Sequence, residues 1–178
     1  MKKIMIMAIA ILLLVACKKE STSEYANQTE TISTMNSANQ SARVRVTRPI
    51  SDVLESDPDP NPTSVYGGAL FYGTMTHLCK VHGKTVNTSF TPISAGVFSI
   101  TSEDIAYASN GDELWTEGDL VITFPTDGST IATITGGSII VGGTGRFAGA
   151  TGYFIYENMV YDIVTGHESH TAHGEITF

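Results

Sequence analysis

From Val65 onward the chain is a succession of short β-branched and aromatic runs, each ended by a turn signal. "ALFYGTMTHLCKV", "GVFSIT", "DLVITF", "STIATIT", "GSIIV", "GYFIYENMVYDIV" and "HGEITF" are separated by "VHGKT", "SNGDE", "PTDGS", "GGTG" and "VTGHE". Asn110-Gly111 and Asp127-Gly128 mark tight hairpins, because glycine accepts the positive φ of a type I′ turn. No stretch carries helical periodicity with caps. Strands at this spacing predict an all-β domain, a closed barrel or a sandwich.

The stretch between Ile139 and Tyr156, "IIVGGTGRFAGATGYFIY", tests a rival reading. A phosphate-cradling loop needs a following helix whose N-terminus meets the anion. Here "ATGYFIYENMVYDIV" is β-branched, aromatic and uncapped, and no Gly-Lys-Ser/Thr is present. The glycines therefore read as a bend with a bulge. Gly142, Gly143 and Gly145 supply the reversal, Phe147 plugs the barrel end, and Gly149 and Gly152 allow close backbone approach.

Upstream, "MKKIMIMAIAILLLVACKKE" has a basic start and an apolar run from Ile4 to Val15. That run has signal-peptide length and is short of the roughly 20 apolar residues of a spanning helix. Leu14-Val15-Ala16-Cys17 resembles the lipobox of bacterial lipoproteins, which implies acylation of Cys17 and removal of residues 1–16. "CKKE" is similar to starts in Bacteroidota lipoproteins, which implies an outer-membrane location, periplasmic or surface-exposed. Lipid chains contribute about 0.8 kcal/mol per buried CH₂, so such an anchor is the expected membrane contact. Residues 17–64 are rich in Ser, Thr, Asn and Pro and read as a disordered tether. Within it, "ARVRVTRPISDVL" has the pattern of one short strand or docking segment. The barrel domain is then residues 65–178.

Acylation of Cys17 would leave Cys79 without an intramolecular partner, beside Leu78 and Val81 and expected to be buried. From Val65 on, Lys80, Lys84 and Arg146 face eleven acidic residues, which argues against nucleic acid as a partner. No motif calls for an organic cofactor.

"GGTGRFAGATG", with "NGDEL" ahead of it, resembles the hallmark of dirigent proteins and the related allene-oxide-cyclase-like barrels. The resemblance implies an eight-stranded antiparallel barrel of the calycin type with an apolar lumen. It implies less about chemistry. Dirigent proteins carry an arginine just before the last glycine of the motif, and Thr151 stands there.

Alternation along "ALFYGTMTHLCKV" puts Phe71, Met75, His77 and Cys79 on the face expected inward. In "GYFIYENMVYDIV" both faces carry aromatics, and Tyr153 and Ile155 are taken as lumen wall. The candidate ligand site is therefore Phe71, Met75, His77, Cys79, Tyr153 and Ile155. Pairing of the first and last strands would gather His77, Cys79 and His173 as a candidate metal set, against solvated histidines at strand ends. His167 and His173 lie on the face opposite His170. The acids of "SEDIAYASNGDELWTEGD" read as solvated hairpin faces, and Glu113 and Glu117 share a face, unlike the flanking pair of a glycosidase. No nucleophile constellation is present. Three readings follow: a lumen that encloses a small apolar ligand, an isomerase or cyclase, or a filled structural barrel.

Overall fold

The computed structural model describes residues 45–178. Eight antiparallel strands form one closed barrel in sequence order. They are β1 (Thr47–Pro58), β2 (Gly68–Met75), β3 (Cys79–Ser94), β4 (Val97–Ala108), β5 (Glu113–Thr123), β6 (Ile131–Gly143), β7 (Thr151–Asp162) and β8 (Glu168–Thr177). A single turn of 3₁₀-helix, Gly145–Phe147, is the one helical element among the described residues. Closure comes from β1 pairing with β8, with Leu54 opposite His170 and Ser56 opposite Glu168. It removes both sheet edges, so every strand has a partner on each side.

The architecture matches the expected eight-stranded antiparallel barrel, but two elements differ. Strand β1 lies inside the segment expected to be tether, so the barrel begins well before Val65. Its composition is polar because every second residue faces water; Ile50, Asp52, Leu54 and Ser56 are the buried set. And "ALFYGTMTHLCKV" is not one strand. It turns at Thr76–Leu78, where His77 and Cys79 adopt positive φ, and β3 starts at Cys79.

Three layers fill the barrel. At one end Ile50, Leu78, Phe147, Ala150 and Ile176 form a sealed apolar plug with Phe178 against it. Phe147 is fully buried, as the sequence implies, and is carried there by the glycine bend. Val141 is the extra residue of a bulge between β5 and β6, where Trp115 faces Gly142 and Thr116 faces Ile140. Gly145 (φ +56°) and Gly149 (φ +73°) take left-handed conformations, and a Cβ on Gly152 would run into the Glu175 carbonyl oxygen. The phosphate-loop alternative fails for the reason expected: a strand follows, not a helix. Toward the other end, Ile100, Leu120, Ile122, Ala132, Ile134 and Met159 form a second apolar ring that leaves the lumen open. Between the two lies a polar layer.

Candidate functional site

The open end leads into a cavity of about 500 Å³. Its upper wall is apolar: Phe90, Ile100, Leu120, Ile122, Ile134 and Met159 all line it. A volume of this size falls within the roughly 300–1,000 Å³ of small-molecule sites. Below it a narrower space of about 50 Å³ reaches Phe71, Met75 and Phe154 above the plug.

The polar layer forms the floor, and each strand position follows from alternation. β1 contributes Asp52 and Ser56, β4 Ser102 and Asp104, β5 Thr116, β6 Ser138, β7 Tyr156, and β8 Glu168 and His170. His170 is the centre. Its Nε2 lies 3.6 Å from Asp52 Oδ1, its Nδ1 lies 3.5 Å from Glu168 Oε1, and the Tyr156 ring meets it edge-on at 4.8 Å between centroids. Neither ring nitrogen has a hydrogen-bond partner, nor does Asp52 Oδ1, although all three atoms are buried. Buried polar atoms normally find partners, so these three are unspent capacity facing the cavity.

Burial dominates the electrostatics. It pushes the Asp52 carboxyl up to about 6, against the pull of His170 and a backbone N–H from Ala172. It also pushes Asp104 up to about 6, although Thr85 and Thr116 hydroxyls steady the carboxylate; Thr116 Oγ1 donates to Oδ2 at 3.0 Å. Tyr156 is raised first by burial and then by the charge of Asp104, so its hydroxyl stays protonated and shares a 3.0 Å hydrogen bond with Ser138 Oγ.

A bulge builds this geometry. Asn158 takes φ +52° on β7, and the pairing with β8 skips there, from Glu157–Thr171 to Val160–Ser169. Before the bulge Phe154 and Tyr156 point inward; after it the inward residues are Met159 and Tyr161. The extra residue reverses the parity, which is why both faces of this segment carry aromatics. Bulges recur beside functional sites because they re-aim side chains.

Of the six expected lumen residues, Phe71 and Met75 do line the interior. Tyr153 and Ile155 do not: both are exposed on the outer face. His77 and Cys79 lie at the sealed end, away from both cavities. His77 Nε2 donates to the Pro49 carbonyl at 3.0 Å and its ring meets Phe178 edge-on, while Arg146 donates to the His77 carbonyl. Cys79 is half-buried, short of the full burial expected beside Leu78 and Val81.

The metal set is likewise dispersed. β8 closes on β1 rather than on the segment of His77 and Cys79, and His173 points outward, 3.5 Å from Glu157. Among the described residues no three His, Cys, Asp or Glu are gathered to hold an ion. Glu113 and Glu117 lie on the outer face with Trp115, whose Nε1 donates to Glu113. Cys17 lies outside the described residues.

Sequence reasoning missed Asp52, Asp104, Tyr156, Glu168 and His170 as site residues. The signal was there in part: Asp104 shares its parity with Ile100, Ser102, Ala106 and Ala108. No family model, curated protein or solved structure matches the chain, so a functional reading rests on this lumen's own chemistry.

Proposed function

We propose that the protein is a binding barrel that encloses a small, largely apolar molecule in its lumen, held at a bacterial cell envelope by lipid on Cys17. The observation that carries the lumen reading is the open cavity with an apolar wall over a buried, partly unpartnered polar floor. A filled structural barrel has no use for the space or for the cost of burying Asp52 Oδ1 and both His170 ring nitrogens without hydrogen bonds. Apolar walls supply affinity without direction, and a few convergent polar groups fix orientation. The anchor rests on the sequence alone, as does its resemblance to outer-membrane lipoproteins. Likeness to the dirigent and allene-oxide-cyclase-like barrels agrees with enclosure of an apolar guest.

A second reading has its own observation. Asp52 and Asp104, both pushed up to about 6, flank a floor that also holds His170 and Tyr156, a set suited to moving a proton on an enclosed substrate. An isomerase or cyclase would use it that way.

Native mass spectrometry of protein purified from its producing cells tests enclosure. Extra mass that leaves on denaturation is expected. Bare protein, combined with no displacement of an environment-sensitive apolar dye, would refute it. For the anchor, the mature mass should start at Cys17 with acyl chains added, and Cys17→Ser should release the protein from membranes. An unmodified Cys17 in membrane-free protein would refute that part.

A further inference from the structure

The floor of the lumen is strongly one-signed. Asp52, Asp104 and Glu168 line it, and the only ionisable nitrogen among the lining residues is His170. No lysine or arginine lines either cavity among the described residues. Asp59, at the mouth, is already met by Lys84 at 3.1 Å. Even with a proton on His170, the acids outnumber it three to one.

The second observation is independent of that charge. The Asp52 side chain is 3 % exposed and that of His170 9 %, and Asp52 Oδ1 and both ring nitrogens of His170 make no hydrogen bond, the His170 contacts to Glu168 and Asp52 being 3.5 and 3.6 Å long. Asp52 Oδ1 needs a donor. So does whichever ring nitrogen of neutral His170 carries no proton. A guest that answers both must bring several donors and positive charge. A carboxylate guest would bring neither, and would be repelled by the three acids.

We propose, resting on the lumen-binding reading above, that the guest is an amphipathic amine. Its apolar body lies against Ile100, Leu120, Ile122, Ile134 and Met159, and its ammonium group sits on the floor among Asp52, Asp104, Glu168 and His170. An ammonium brings three donors, enough for Asp52 Oδ1 and for the ring nitrogen of His170 that carries no proton. Tyr156 and Tyr161 border the same space and add no charge to it. Asp52 and Glu168 share the single imidazole of His170, and the amine adds a second cation to the three buried acids.

The titratable and charged groups that face the site are Asp52 on β1, Asp59 and Tyr66 at the mouth with Lys84 paired to Asp59, Asp104 on β4, Tyr156 and Tyr161 on β7, and Glu168 and His170 on β8. β2, β3, β5 and β6 contribute Phe71 and Met75, Thr85, Thr116 and Ser138, none of which titrates in the accessible range. Lowering the pH through about 6 protonates Asp52 and Asp104, so amine affinity falls. From neutral pH to about pH 5 the expected loss is about tenfold for each carboxyl that must ionise to bind.

The test is calorimetric titration of the full chain with decylamine, decanol and decanoate, which share one apolar body and differ in charge. At neutral pH decylamine should bind at least about tenfold tighter than decanol, with decanoate weakest. Acidification should weaken decylamine and leave decanol unchanged. Asp52→Asn and Asp104→Asn, checked for fold by circular dichroism, should each weaken decylamine about tenfold and spare decanol. Two variants guard against one failing to fold. Decanol or decanoate binding as tightly as decylamine would overturn the amine proposal and leave the lumen site standing. No binding by any of the three to folded protein would overturn both.

Discussion

Asp52→Asn should make the protein more stable at neutral pH. Asp52 is buried inside a barrel, one of its oxygens is unpartnered, and burial pushes its carboxyl from 3.8 up to about 6. A raised folded-state value means that the folded protein holds this proton more tightly than the unfolded chain does. The stabilising contribution of the protonated form is complete below the unfolded value and is lost as pH rises through about 6. Above that, the ionised Asp52 costs about 3 kcal/mol relative to an acid that stays protonated. At about pH 5 roughly 1.3 kcal/mol of that cost has been relieved. Replacing the acid by a neutral amide removes the titration. The gain from Asp52→Asn, measured by urea unfolding, should therefore be about 1.3 kcal/mol larger at neutral pH than at about pH 5. Taking the difference between variant and parent cancels the groups that do not touch Asp52, leaving Asp52 and its neighbour His170. Asp59 and Asp162, held low by backbone N–H groups of Asn61 and Val164, titrate below this window. An equal gain at both pH values, or a larger one in acid, would refute the claim that burial dominates at Asp52.

Three further outcomes check the rest of the argument. Gly152→Ala should cost well over about 2 kcal/mol in urea unfolding, because its Cβ meets the Glu175 carbonyl; Gly128→Ala, with positive φ but open space, should lose only about 1–2 kcal/mol. Comparable losses would mean that backbone conformation, not close approach, decides at Gly152. Phe147→Ala should lose about 3–5 kcal/mol, since the ring is fully buried in the plug, and a loss below about 1 kcal/mol would show that the end is not sealed by it. Met159→Trp, which fills the lumen, should abolish uptake of an apolar dye, whereas Tyr153→Ser with Ile155→Ser should leave uptake intact. The reverse pattern would put the parity of β7 back to plain alternation.

A plain alternation is what the sequence offers, and it succeeds where strands are regular. Phe71 and Met75 are inward, and His170 and His173 fall on opposite faces, as period two requires. It fails where one residue breaks the count. Asn158 inserts an extra residue into β7, so Tyr153 and Ile155 go outside and Phe154, Tyr156, Met159 and Tyr161 come in. No local signal marks that asparagine as a bulge. Thr76–Leu78 fails for a related reason: a β-rich segment without Gly or Pro at its centre gives no sign that it reverses.

By itself, then, the chain determines its class, its glycine-marked turns and the burial of Phe147, because strand and hairpin chemistry is local. Glycine's positive φ and the wish of Phe147 to leave water act over a few residues. The polar floor is a different kind of fact. Asp52 and His170 are 118 positions apart and come within 3.6 Å only because β1 closes the barrel against β8. Ahead of closure, Asp52 is one acid in a polar segment and Asp104 one acid on a hairpin. Closure removes water from both and turns ordinary side chains into a site, since desolvation depends on what surrounds a group and not on its neighbours in sequence.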